Sequence, residues 1–350
     1  MNDDFSSLDL PAVPELREPA LSAALQHKID RKTAPHGALG RLAALARQLG
    51  EILGTAEPRL TQPQLLVFAA DHGIAARGVS AYPSDVTWQM VGNFVAGGAA
   101  VSVLARQHGI AQTVVDCGVR HDFEPTPGLI DRKIARGSAD LCAGPAMSAA
   151  QCVQALANGM ALVRALPGNV LLLGEMGIGN TSAASCLTAR LGGLDIAEVT
   201  GAGTGLDAAG VARKTALLRQ ALAAHAGAGA PLQALAALGG FEIATMVGAV
   251  LQAAAERRVL LVDGFIASSA VLVAARLAPH VTQRCVFAHR SGERGHARLL
   301  QLLGAEPLLD LGLRVGEGSG AALAWPLLES ACRILAEMAS FESAGVADRA

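Results

Sequence analysis

Six short apolar runs, each closed by a glycine or a polar residue, limit how this chain can fold more than any other feature. Residues 65–70 end at Asp71, His72 and Gly73, and residues 112–115 at Asp116, Cys117 and Gly118. Residues 169–173 end at Gly174 and Glu175, and residues 197–200 at Gly201. Residues 259–262 end at Asp263 and Gly264, and residues 284–288 at His289, Arg290 and Ser291. Runs this short, bounded by turn residues, suit strands buried on both faces. Ala-rich stretches of helical length lie between them, at residues 150–166, 208–224 and 243–255. Strand and helix in alternation predict an α/β fold with a parallel sheet and right-handed crossovers. Ligands of such sheets bind beyond the carboxyl ends of the strands, so the polar closing residues should share one rim.

The ends of the chain read differently. Residues 19–53 predict two helices around a turn that holds Pro35, Gly37 and Gly40 with the basic Lys28, Arg31, Lys32 and Arg41. That turn reads either as a solvated loop or as one that meets an anionic ligand. Residues 321–340 predict one amphipathic helix, able to pack on the first two, and the tail after Phe341 is expected to fray. With 350 residues the chain exceeds one small core. The expected division is a large α/β domain over 61–320 and a small helical domain from 1–60 and 321–350.

Composition removes several classes of function. Aromatic residues make up 3% and the net charge is −2, which argues against nucleic-acid binding. The acidic start lacks a basic region followed by an apolar one, so no signal peptide is expected. Two stretches without Asp, Glu, Lys or Arg, at 86–105 and 221–241, are interrupted by polar residues, glycines or Pro231 and predict no membrane span. The six cysteines show no CxxC pair, as suits buried thiols in a reducing cytoplasm.

Two glycine loops follow expected strands and open expected helices. They are GEMGIGNT at 174–181 and GAGTGLD at 201–207. Backbone N–H groups reached through glycines at a helix start can hold a phosphate. Neither loop is a Walker A sequence, and the second departs from GxGxxG. Each alone reads equally well as a tight turn; the pair favours an anionic ligand such as a nucleotide monophosphate. Ser291 and Gly292 are further candidate phosphate contacts. Asp71 and His72 lack a nucleophile elbow, so no triad is expected and His72 reads as a structural residue. His289 and His296 frame a segment without the HExxH spacing, and no metal site is expected there. In the stretch 311–321, Glu317 stands between Gly316 and Gly318, with Gly320 beyond. Glycines on both sides let a backbone approach a ligand closely and leave the carboxylate free to project into a cleft.

Taken together, the segments 32–42, 70–83, 174–181, 201–205, 262–266, 289–293 and 312–320 resemble the nicotinate-nucleotide–dimethylbenzimidazole phosphoribosyltransferase family. One departure is visible. His36 stands where the family commonly has a second proline, and Ala38 where it has a serine. The resemblance implies a Rossmann-like parallel sheet flanked by helices, a small helical domain built from both termini, and a homodimer. It implies transfer of phosphoribose from nicotinate mononucleotide to 5,6-dimethylbenzimidazole, giving α-ribazole 5′-phosphate and nicotinate by one inverting displacement. Glu317 resembles the family's general base, and Glu175 is the second catalytic candidate. Ser80, Tyr82 and Gln89 would take the benzimidazole. Gly177, Gly179, Gly203, Gly205, Ser291 and Gly292 would take the nucleotide phosphate and ribose, and Asn180, Thr181, Asp263 and Arg314 are further candidate substrate contacts. No metal or cofactor is implied, because the donor carries no pyrophosphate. A binding protein without catalysis, a different glycosyl transfer such as phosphorolysis, and other aromatic acceptors stay open on the residues alone.

Overall fold

The computed structural model describes residues 5–347. Its six strands are Gln64–Ala70 (β1), Ala111–Gly118 (β2), Leu129–Asp131 (β3), Val170–Met176 (β4), Val259–Val262 (β5) and Cys285–Phe287 (β6). All pair in parallel, in the order β3-β2-β1-β4-β5-β6. The order reverses between β1 and β4, and the crevice above such a reversal is where open α/β sheets bind ligands.

Side chains alternate across the sheet because successive residues of a strand point to opposite faces. On β4, Leu171 and Leu173 face one core while Val170 and Leu172 face the other. The first core is filled by the helices Ala149–Ala165, Asn180–Gly192, Phe241–Ala255 and Phe265–Leu277. Two of these touch backbone to backbone. A Cβ at Gly159 would collide with the Thr245 carbonyl oxygen, and one at Gly248 with that of Leu156. The second core joins the sheet to both ends of the chain. Leu25, Leu45 and Leu49 of the helices Pro19–Asp30 and Gly40–Leu53 meet Trp325 and Leu328 of the helix Ser319–Glu337 there, over Leu65 and Val67 of β1.

Two expectations need correction. Residues 197–200 are not a strand: Ile196–Val199 is a single helical turn, started by Asp195, whose carboxylate accepts from the Ala197 N–H at 2.7 Å. The sheet takes its sixth strand instead from β3, three residues paired to the outer side of β2. The tail does not fray directly after Phe341. Ser340 caps the short helix Phe341–Ala344, and the Arg31 guanidinium lies 5.5 Å from the Phe341 ring centroid. The stretch Val86–Gln107 has a mean hydropathy of 1.3, enough by length and composition for a membrane span. It divides into helices Val86–Val95 and Ala100–Gln107 of 10 and 8 residues, parted around Gly97, each well short of the ~20 a span needs.

Candidate active site

The segments that follow β4, β5 and β6 face the loop residues Arg314–Glu317 across a cleft of about 100 Å³. Glu175 comes from β4 itself. The turn Gly177–Gly179 then leads into the helix Asn180–Gly192, with Gly179 in the left-handed region at φ 99° as its N-cap. Gly177 has no room for a side chain, since a Cβ would collide with the Ala70 carbonyl oxygen at the end of β1. That contact binds the turn to the strand across the reversal point. Beneath it His72 and Glu242, both fully buried, are joined at 2.7 Å, which gives His72 the structural place expected from the sequence.

Glu317 occupies an uncommon backbone conformation, φ 69°, between Gly316 at 73° and Gly318 at 91°. A non-glycine residue there is held by its surroundings rather than by its own preference. The surroundings are visible. The Glu317 carbonyl leans on Gly174 of β4, where a Cβ would collide with it, and a Cβ on Gly318 would lie 2.7 Å from Leu65. The Glu317 N–H donates to Glu175 Oε1 at 3.4 Å. The glycines flanking Glu317, and Gly174 opposite, thus exist to bring loop and strand backbones together.

Both glutamates are pushed toward the neutral form. Burial, then the Asp263 charge, raise Glu175 to about 8, although the Asn180 amide and the Glu317 N–H pull the other way. Burial and Asp263 likewise raise Glu317 to about 7, against a hydrogen bond from the Val101 backbone N–H at the start of the helix Ala100–Gln107. Removing a carboxylate from water disfavours its charge, and a like charge nearby disfavours it further. One oxygen of Glu317, Oε2, is buried without a hydrogen-bond partner.

Glu175, Gly177, Asn180, Thr181, Gly203, Ser291, Arg314 and Glu317 line the cleft together. Asp263 is behind the wall, its carboxylate turned to the N–H groups of Gly318 and Ala321 at 3.2 and 3.0 Å. Gly205 and Gly292 lie one step outside the lining. Ser80 reaches the rim through a 2.8 Å hydrogen bond to Thr204, while Tyr82 and Gln89 are exposed beyond it. Among the described residues, no group of three or more His, Cys, Asp or Glu is placed to hold a metal ion.

Two further residues belong to the site. Lys214 is 1% exposed and donates to Thr181 Oγ1 at 2.8 Å, beside Gly203. Burial lowers it to about 8, opposed by the charge of Glu293. Glu293 lines the cleft, raised by its own burial and drawn back by Lys214 and the Gly203 N–H. A signal for Lys214 was present: it lies four residues from both Gly210 and Leu218, on the buried face of the helix Ala208–Ala224.

The sequence model of the Phosphoribosyltransferase family matches residues 14–346. A nicotinate-nucleotide–dimethylbenzimidazole phosphoribosyltransferase of Variovorax paradoxus (strain S110) is 69% identical over 97% of this chain and 98% of its own. The protein of the same name from Dechloromonas aromatica (strain RCB) is 59% identical over 94% and 96%. A crystal structure of such an enzyme from Thermus thermophilus superposes with a TM-score of 0.91 at 40% identity, covering 95% of this chain and 100% of that one. A crystal structure of CobT from the same organism gives 0.92 at 41%, with the same coverage. A match that runs nearly end to end in sequence and in fold places this chain in the nicotinate-nucleotide–dimethylbenzimidazole phosphoribosyltransferase family.

Proposed function

We propose that this phosphoribosyltransferase moves phosphoribose from nicotinate mononucleotide to 5,6-dimethylbenzimidazole in one inverting displacement, with Glu317 as general base. The observation that carries the reading is the Glu317 carboxylate: buried, raised to about 7, and with one oxygen unpartnered in a cleft at the sheet's reversal point. A base is most effective when its pKa is near the working pH.

The chemistry asks for little else. The ring nitrogen of the donor is cationic while bonded to ribose, so nicotinate leaves with that nitrogen neutral and needs no acid. One imidazole nitrogen of the acceptor attacks C1′, and the other loses its proton to Glu317. The C1′–N bond to the acceptor forms as that to nicotinate breaks, and β geometry becomes α. In its ionised form the Glu317 carboxylate also stabilises cationic character developing at the attacking ring. Lys214, Thr181 and Gly203, with Ser291 and Arg314, are proposed to hold the 5′-phosphate, and Ser80, Tyr82 and Gln89 the acceptor side. The chain is proposed to act as a homodimer, by family resemblance, and its six unpaired cysteines suit a reducing cytoplasm. Light scattering should then give twice the chain mass of 35.6 kDa.

The test is a product assay with both substrates and with each omitted. Mass spectrometry should find α-ribazole 5′-phosphate and nicotinate only when both are present, and NMR should show the α anomer. Turnover of the nucleotide with the benzimidazole left out would point to another transfer and overturn the reading.

A further inference from the structure

We propose that Asp263 does not contact substrate but positions the Glu317 base, by clamping the first turn of the helix that follows it and laying a fixed negative charge behind it. This rests on Glu317 being the base. Asp263 closes β5 and is 2% exposed. Its Oδ2 accepts from the Gly318 N–H at 3.2 Å and its Oδ1 from the Ala321 N–H at 3.0 Å. These are among the N–H groups that a helix start leaves without partners inside the helix Ser319–Glu337. A carboxylate at that end also meets the positive pole of the helix. His289 Nε2 stands 3.5 Å from Oδ1 and holds the carboxylate from the side of β6.

The packing engages both Asp263 oxygens with the helix start and His289. A Cβ at Gly320 would collide with the His289 ring and lie 2.8 Å from Asp263 Oδ1, so glycine is required where the helix passes the pair. Glu317 immediately precedes the clamped residue and has a left-handed backbone. Fixing Gly318 on one side and leaning the Glu317 carbonyl on Gly174 on the other holds the backbone that carries the base. The groups that face Glu317 are Asp263 from β5, Glu175 from β4, His289 from β6, the Val101 N–H from the helix Ala100–Gln107, and Arg314 from its own loop. Asp263 is the charge that, after burial, raises Glu317 most.

The experiment compares kcat against pH for the wild type, Asp263→Asn, Asp263→Ser and Glu317→Gln, with the KM of nicotinate mononucleotide measured for each. Both Asp263 variants remove the charge. Their acid limb should move down by about 0.5–1 pH unit. Plateau kcat should fall by about 10-fold, while donor KM changes by less than about 3-fold. An unshifted limb, or a donor KM raised more than about 10-fold at unchanged kcat, would overturn the proposal. If Glu317→Gln keeps the acid limb, the base assignment itself fails. If it loses the limb while the Asp263 variants stay unshifted, only the positioning role fails. One measurement needs no variant. In the wild type the Gly318 and Ala321 amides should be strongly protected from hydrogen exchange, and unprotected amides there would overturn the clamp.

Discussion

Lys214 carries an ammonium in a place that is 1% exposed, and its Nζ is given to Thr181 at the edge of the cleft. A buried lysine beside a glycine turn has a use if an anion completes its coordination. Lys214→Met keeps most of the stem and removes the charge. A charge-assisted hydrogen bond contributes roughly 1.5–3 kcal/mol, so donor KM should rise about 10–100-fold with a smaller effect on the acceptor. Unchanged donor KM would move the phosphate elsewhere. Since burial lowers Lys214 to about 8, wild-type donor affinity should also weaken as pH rises past that value. The glycines around Glu317 were legible as a close approach before the structure, but not what they approach. Only the fold shows that Gly174, far away in sequence, is the other half of that contact. Asp263 was legible as a polar residue closing a strand; that its carboxylate points to a helix start rather than to the cleft depends on where the last helix docks.

Among the elements, those with a complete apolar run or a long helical stretch were readable, and the short ones were not. β1 is buried at every position and the helix Phe241–Ala255 at nearly every position, so pattern and outcome agree. The run at 197–200 satisfied the same pattern, yet Asp195 supplies a helix cap that a count of apolar residues does not weigh. β3 has only three residues, half exposed, and no periodicity could find it. Helix contacts offer a sharper test. At Gly159 an added Cβ would meet backbone on the facing helix, which cannot move aside as a side chain can. Gly159→Ala should cost about 1–3 kcal/mol or more and lower the melting temperature. Gly144→Ala, with nothing within 4 Å, should stay within about 0.5 kcal/mol. Equal melting temperatures for the two would show that the helices are not in backbone contact.

Across the whole molecule, the strand order gathers Glu175, Asp263 and Glu317 from segments far apart in the chain, and no local pattern encodes that order. The parallel sheet was legible from the alternation of runs; the reversal between β1 and β4 required the register. Gathering carboxyls has a consequence for stability. Glu175 is raised from 4.5 to about 8, so over that range the folded protein keeps a proton that the unfolded chain has released. Raising the pH there favours unfolding. Glu317 adds the same trend up to about 7. The buried His296 opposes it only below 6.5, and Lys214 only above about 8. Between pH 6.5 and 8 the melting temperature should therefore fall, by about 2–4 °C. Calorimetry of Glu175→Gln should give a flatter curve across the same window, and an equal slope would show that Glu175 is not the group responsible.

The most direct measurement is kcat as a function of pH for Glu317→Gln beside the wild type, with nicotinate mononucleotide binding followed separately. Glutamine keeps the size and the hydrogen-bonding reach but cannot take the proton. The wild type should lose activity in acid as Glu317 protonates near its raised value of about 7. The variant should fall in kcat by about 10²–10⁴-fold, bind the nucleotide nearly as before, and show no acid limb. A variant that kept most of its activity with the wild-type acid limb would contradict the account, and would place the base at another group, with Glu175 the first to test.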